Sequence, residues 1–193
     1  MLKGKSVLVT GASSGLGLHF ARLAASQSAT RIAVAARRID RLEHLKRELT
    51  EKAGSNTKVT CLPLDVSSPA LIRSAFDTIQ HEWQAPADVV INNAGVAVSS
   101  SFLQVSEEEY DGILDVNLKG AFFVCQEAAK RMVAAKTQGG SIINISSILG
   151  ERPGKDVSAY SVSKAGVIQM TKAAAMELVR LLRLTEPHPT DET

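Results

Sequence analysis

Cysteine is scarce here: Cys61 and Cys125 are the only two in 193 residues, and no CxxC pair joins them. They stand far apart in apolar segments, which argues against a zinc cluster, a redox dithiol or a disulfide framework and leaves two thiols expected to be buried in a reducing, cytoplasmic compartment. A long apolar run is also missing, since nothing approaches the roughly 18 residues of a membrane span. At the amino terminus the apolar part, Val7 to Val9, is too short for a signal-peptide core. A block of positive charge is missing too. Lys and Arg total 22 against 20 Asp and Glu, and the excess of +2 is scattered, so the footprint of a nucleic-acid partner is not there. Hydrophobic residues at 45% and charged residues at 22% exclude a disordered chain.

What is present is alternation. Short apolar runs at 6–10, 32–36, 59–64, 89–91 and 141–145 read as strands, and each of the first four is followed by a stretch of helical periodicity. Leu16, Phe20, Leu23 and Ala24 mark the first helix. Leu42, Leu45 and Leu49 mark the second, with Asp40 as its expected cap and Glu43 three residues on. Ser68 before Pro69 opens the third, whose buried stripe is Ile72, Ala75, Phe76 and Ile79. A capping box, Ser106 with Glu109, opens a long helical region toward Lys136, and a last helix is expected over 159–182. Continuous apolar strands with intervening helices predict a doubly wound parallel sheet in three α/β/α layers. One domain is expected over 1–184, with a disordered tail at 185–193.

Ligands of such sheets sit beyond the carboxyl ends of the strands. After the first strand stands Thr10-Gly11-Ala12-Ser13-Ser14-Gly15-Leu16-Gly17, where glycines let the backbone approach a pyrophosphate and a helix amino terminus meets its charge. This TGxxxGxG spacing resembles the classical short-chain dehydrogenase/reductases, and three further motifs resemble that family in order and distance. They are Asn92-Asn93-Ala94-Gly95 after the fourth strand, Asn117 in a helix, and Tyr160-Ser161-Val162-Ser163-Lys164 with Ser147 thirteen residues before the tyrosine. The resemblance covers roughly 5–178 and implies a Rossmann-like fold and an oxidoreductase that interconverts an alcohol and a carbonyl. It implies catalytic roles for Asn117, Ser147, Tyr160 and Lys164, with Asn117 supporting a water-linked proton path from Lys164. It also implies nucleotide contacts from Gly11, Ser13, Ser14, Gly15, Leu16, Gly17, Asp65, Val66, Asn93, Ala94, Gly95, Tyr160 and Lys164.

The chemistry of the tetrad can be argued from the residues themselves. Tyr160 and Lys164, at i and i+4, share a helix face. A tyrosine that ordinarily titrates near ~10 becomes a better base beside a cation. Such a phenol can take a proton from an alcohol or return one to a carbonyl oxygen, while the Ser147 hydroxyl holds that oxygen in line.

Cofactor choice turns on another absence. At the end of the second strand, where an acid would meet a ribose 2′-hydroxyl, this chain has Ala36-Arg37-Arg38. Two guanidinium groups suit a 2′-phosphate, so NADP is expected over NAD, with Arg37 as the main contact and Arg38 beside it. His19, His44 and His81 read as surface residues.

The resemblance stops after Met176-Glu177-Leu178, where the family would continue with a sixth strand, a Pro-Gly loop, a substrate-covering helix and a seventh strand. The fifth strand is therefore expected to be a bare apolar edge unless Leu181, Leu182 and Leu184 fold back over it. Two functions follow: an active reductase, or a truncated non-catalytic nucleotide-binding or interaction module. The family also pairs the helices of 106–136 and 159–182 across a two-fold axis, which implies a homodimer or homotetramer. Phe122 beside Phe123, and the stripe Val167, Met170 and Ala174, fit such a second apolar face.

Overall fold

The computed structural model describes residues 2–53 and 57–183. Five strands form one sheet: β1 (Ser6–Thr10), β2 (Arg31–Ala36), β3 (Lys58–Pro63), β4 (Val89–Asn92) and β5 (Ser141–Asn144). Their order is β3-β2-β1-β4-β5, and all pairs are parallel. The order reverses at β1, so the crevice beyond its carboxyl end is the switch point of a doubly wound, Rossmann-like α/β fold. Helices α1 (Gly15–Ser26) and α2 (Ile39–Ala53) lie on one face. The other carries α3 (Pro69–Trp83) and α5 (Ala121–Ala134), with α6 (Ser158–Arg183) packed on α5. Between β4 and α5, α4 (Glu107–Leu114) runs into a π-helical segment, Asp115–Gly120.

Two apolar layers hold the sheet. Leu8, Ala33 and Val90 point toward Ile72, Phe76, Ile79 and Val124, while Val7, Val9, Ile32 and Val34 meet Ala21, Ala24, Leu42, Leu45 and Leu49. Strands buried on both faces explain why β1 and β2 read as unbroken apolar runs. The expected capping features at α3 and α4 are present. Ser68 Oγ accepts from Leu71 N, and Ser106 and Glu109 exchange both bonds of a capping box.

Asp40 does not cap α2. The helix begins at Ile39, two residues before the start an Asp40 cap would set, and the Arg38 carbonyl accepts from Leu42 N, so Asp40 lies inside the first turn, where its charge still suits the helix dipole. Cys125 is buried, but Cys61 is only half-buried; its side chain faces α2, and burial with the nearby Glu43 carboxylate pushes the thiol up to about 11. His19, His44 and His81 are exposed. Val167 and Met170 are buried against Ala121 and Cys125 of α5, so that stripe serves the fold first. Among the described residues no helix is long and apolar enough to cross a membrane. The tail at 185–193 and Leu184 lie outside the described residues, as do the side chains of Leu181 and Leu182.

One structural clamp carried no signal in the sequence. Asp88, just before β4, accepts from the Ser6 amide (2.8 Å) and hydroxyl (2.7 Å), returns a bond from its own amide to Ser6 Oγ (3.0 Å), and stands 3.6 Å from Lys5 Nζ. Partial burial opposes ionisation, but the Ser6 bonds and the Lys5 charge together hold the carboxyl below its usual range. Asp88→Ala is therefore expected to cost about 1.5–3 kcal/mol at neutral pH. A carboxyl with a lowered folded pKa stabilises above its unfolded value, and that contribution is lost as pH falls through the folded pKa. Urea titrations of both proteins should thus differ at neutral pH and converge in acid; a gap that persisted in acid would assign the loss to packing.

Candidate active site

The turn after β1 is built around close backbone approach. Gly11 has φ +68°, and a Cβ on Gly17 would lie 2.4 Å from the Gly11 carbonyl oxygen and 2.5 Å from Asn93 Nδ2. Only glycine lets α1 start that close to the end of β1. Ser14, the residue before α1, makes no side-chain cap to the helix, and the first turn holds no acid. Among the described residues the first-turn amides have no side-chain partner, which is what a phosphate needs.

A cleft of about 530 Å³ opens at this turn. Gly11, Ser13, Ser14, Gly15 and Leu16 form one wall, Arg37, Arg38, Asp65 and Val66 the second, and Asn93, Ala94 and Gly95 the third. Gly17 lies beneath, in the helix–turn contact. Thr10, which the motif reading left without a role, holds the third wall: its hydroxyl accepts from the Asn93 amide (2.9 Å) and the Ala94 amide (3.0 Å).

The two arginines differ. Arg38 donates to Ser13 Oγ (3.0 Å) and Ser14 Oγ (2.7 Å), closing the second wall onto the first. Arg37 is exposed, with its guanidinium 4.0 Å from the Asp65 carboxylate. Partial burial works against the Asp65 charge, yet two bonds from Ser67 and the Arg37 charge hold this carboxyl below the usual range.

Beyond the third wall the four tetrad candidates come from three different segments. Tyr160 and Lys164 sit one turn apart on α6, with Lys164 Nζ 5.7 Å from the centre of the Tyr160 ring. Lys164 is buried, its ammonium donates to the Ile145 carbonyl (2.8 Å), and burial lowers its pKa. Ser147 opens the short turn Ile148–Gly150; its Oγ accepts from Leu149 N (3.1 Å), so the hydroxyl proton stays available to a ligand. That turn is pressed onto α6, since a Cβ on Gly150 would lie 2.8 Å from the Lys164 carbonyl carbon and Ser146 Oγ donates to the Lys164 carbonyl (2.9 Å).

Asn117 is different in kind. The wider π-helical turn carries it inward, and both ends of its amide are engaged: Oδ1 accepts from Val96 N (2.8 Å), and Nδ2 donates to Val96 O (2.8 Å) and Ser163 Oγ (3.1 Å). Ser163 in turn donates to the Tyr160 carbonyl (2.7 Å). The amide thus fixes the loop after β4 to the turn of α6 that carries the tyrosine. Ser163 and Ser146 were invisible as positioning residues because serine has no sequence signal for burial; Ser163 is 0% exposed.

A family model for the short chain dehydrogenases matches residues 5–184. The chain belongs to the short-chain dehydrogenase family. A short-chain type dehydrogenase/reductase of Picea abies is 38% identical over 182 residues, covering 92% of this chain and 66% of that protein. The 3-oxoacyl-acyl-carrier-protein reductase of Thermotoga maritima is 36% identical over 177 residues, covering 92% and 69%. Among solved structures, the L-sorbose reductase of Gluconobacter frateurii, complexed with NADPH and L-sorbose, superposes with a TM-score of 0.86 at 28% identity, covering 93% of this chain and 66% of that one. The chain therefore spans about two thirds of the length of these proteins.

Proposed function

We propose that this protein is an NADP-preferring reductase or dehydrogenase that interconverts a small-molecule alcohol and its carbonyl. The observation that carries the reading is the placement of a tyrosine hydroxyl and a buried lysine ammonium one turn apart on α6, beyond a glycine-walled cleft with free helix amides. A bound nicotinamide nucleotide supplies the hydride donor or acceptor. Tyr160 gives the proton to the carbonyl oxygen, or takes it from the alcohol. Lys164 biases that phenol electrostatically, and the Ser147 hydroxyl donates to the reacting oxygen and orients it. Asn117 acts by holding Val96 and, through Ser163, Tyr160. The alternative of a non-catalytic nucleotide-binding module gains no support from relatives named for their reactions. Nicotinamide absorbance with an activated ketone tests the proposal: NADPH oxidation that depends on both protein and ketone supports it, and no turnover by folded protein overturns it.

The NADP preference rests on Arg37 and Arg38, the only charged side chains besides Asp65 among the described residues lining the cleft. Arg38 becomes the principal partner of a 2′-phosphate in this reading, since Ser13 and Ser14 hold it against the glycine turn, while Arg37 is shared with Asp65. Arg38→Ala is expected to weaken NADPH by about 1–3 kcal/mol, some 5- to 150-fold, and NADH much less. Fluorescence titration reads both; equal losses would remove the phosphate contact from the argument.

Homodimer or homotetramer formation belongs to the same proposal. An apolar groove of about 460 Å³ between α5 and α6 is lined by Phe122, Cys125, Val133, Met170 and Ala174, and Phe122 is 47% exposed. A second copy of the chain, applied by a two-fold axis, would bury that groove against its equivalent. Light scattering at micromolar concentration should give an oligomeric mass that Phe122→Asp reduces; a monomer would contradict the expectation.

A further inference from the structure

Four non-glycine residues among those described adopt a left-handed backbone, a conformation that brings most side chains into conflict with the neighbouring peptide. Three have an evident cause. Ser28, Gln84 and Lys136 stand at the carboxyl ends of α1, α3 and α5, where a left-handed residue closes the last turn. Asp156, at φ +59°, is the exception: it precedes a helix, two residues before α6 begins at Ser158. Its carboxylate has no hydrogen bond or ion pair among the described residues, so the side chain does not account for the conformation.

The backbone around Asp156 does. Its carbonyl faces the loop after β4 and accepts from the Ser100 amide (2.9 Å), and Ser100 forms an isolated parallel bridge with Val157. The next carbonyl, that of Val157, accepts from the Ser161 amide (2.9 Å) and opens the hydrogen-bond ladder of α6. Val98, Ser100 and Val105 lie across a small cavity from Ser158 and Ala159, in the first turn of that helix. The same segment reaches the Ser147 turn: a Cβ on Gly154 would lie 2.8 Å from Leu149 Cδ2 and 2.9 Å from Val157 Cγ2. A closed circuit therefore runs round the tyrosine. Ser163 holds the Tyr160 carbonyl, Asn117 holds both Ser163 and Val96, the loop from Val96 is bridged at Ser100 to Asp156, and Val157 leads back into the helix that carries Tyr160.

We propose that Asp156 is a positioning residue for Tyr160 and acts through its backbone. Its left-handed turn docks the start of α6 on the loop after β4 and on the Ser147 turn, and so sets the phenol against the serine hydroxyl. This role rests on the reductase reading of the same site. Position 156 then requires a residue that tolerates the left-handed region, and the carboxylate charge is dispensable. Asn and Gly meet the requirement; a β-branched residue does not.

The test compares Asp156→Asn, Asp156→Gly and Asp156→Val in the 193-residue chain, with Ser100→Pro removing the donor amide from the other side of the bridge. Asp156→Val and Ser100→Pro are expected to lower kcat for an activated ketone by about 10²-fold, the scale of a misplacement of about 1 Å, with NADPH affinity as in the wild type. Asp156→Asn should keep the wild-type kcat and pH profile, and Asp156→Gly should keep most of kcat. Exchange of the Ser161 amide should quicken by about tenfold in Asp156→Val and stay unchanged in Asp156→Asn. An Asn variant as slow as the Val variant would assign the role to the carboxylate and overturn the proposal. So would Val or Pro variants that melt lower yet turn over at the wild-type rate, the mark of a purely structural residue. Exchange needs no turnover: a wild type that folds and binds NADPH but reduces no ketone would sink the reductase reading, and quickened exchange in Asp156→Val would still support the positioning of Tyr160, which unchanged exchange would refute.

Discussion

Tyr160→Phe is expected to lower carbonyl reduction by about 10²- to 10⁴-fold, the usual worth of a positioned proton donor, while NADPH affinity stays nearly unchanged. The substitution removes one oxygen and keeps the ring, so the aromatic face toward Lys164 persists. Tyr160 is only half-buried, and its structural anchor, the Ser163 bond, goes to its backbone carbonyl, not to its hydroxyl. Stability should therefore hold. Steady-state rates with an activated ketone, paired with cofactor titration, separate the two effects. Unchanged turnover would place the proton donor elsewhere, and a parallel loss of NADPH affinity would mean that the hydroxyl serves binding.

Much of this arrangement was legible because its physical causes are local. The glycine turn is forced by a sub-van der Waals approach at Gly17 that no other residue tolerates, and such requirements leave a fixed spacing in the sequence. The apolar runs of β1 and β2 are equally direct, since burial on both faces erases alternation. Long-range polar pairing left no such trace. Ser6 with Asp88, Thr10 with Asn93, and Asn117 with Ser163 join residues 82, 83 and 46 positions apart, and nothing in either partner's neighbourhood announces the other. The division of labour between Arg37 and Arg38 was hidden for the same reason: both line the cleft, and only the position of Ser13 and Ser14, far back in the chain, decides which one closes it. Asp40 shows the converse error, a good capping residue that misses the cap by two positions because the helix began at Ile39.

Lys164→Met is expected to change activity and stability in opposite directions. Lys164 is 5% exposed, its ammonium's bond is to the neutral Ile145 carbonyl, and burial alone accounts for its lowered pKa. Among the described residues no carboxylate pairs with it, so the fold carries a desolvated charge that a thioether of similar length would not impose. Removing it should raise stability by about 0.5–2 kcal/mol, or about 2–4 °C in melting temperature per kcal/mol. Turnover should fall by about 10² or more, as the phenol of Tyr160 loses its neighbouring cation. The pH dependence fixes the cause. A lysine whose folded pKa lies below its unfolded value of 10.5 binds more protons unfolded than folded in the window between them, so wild-type stability rises with pH across that window. The methionine variant should therefore hold its full advantage below the folded pKa of Lys164 and lose it as pH climbs toward 10.5. An advantage constant with pH would assign the gain to packing, and a variant less stable than wild type at neutral pH would show that the Lys164–Ile145 bond outweighs the cost of burying the charge.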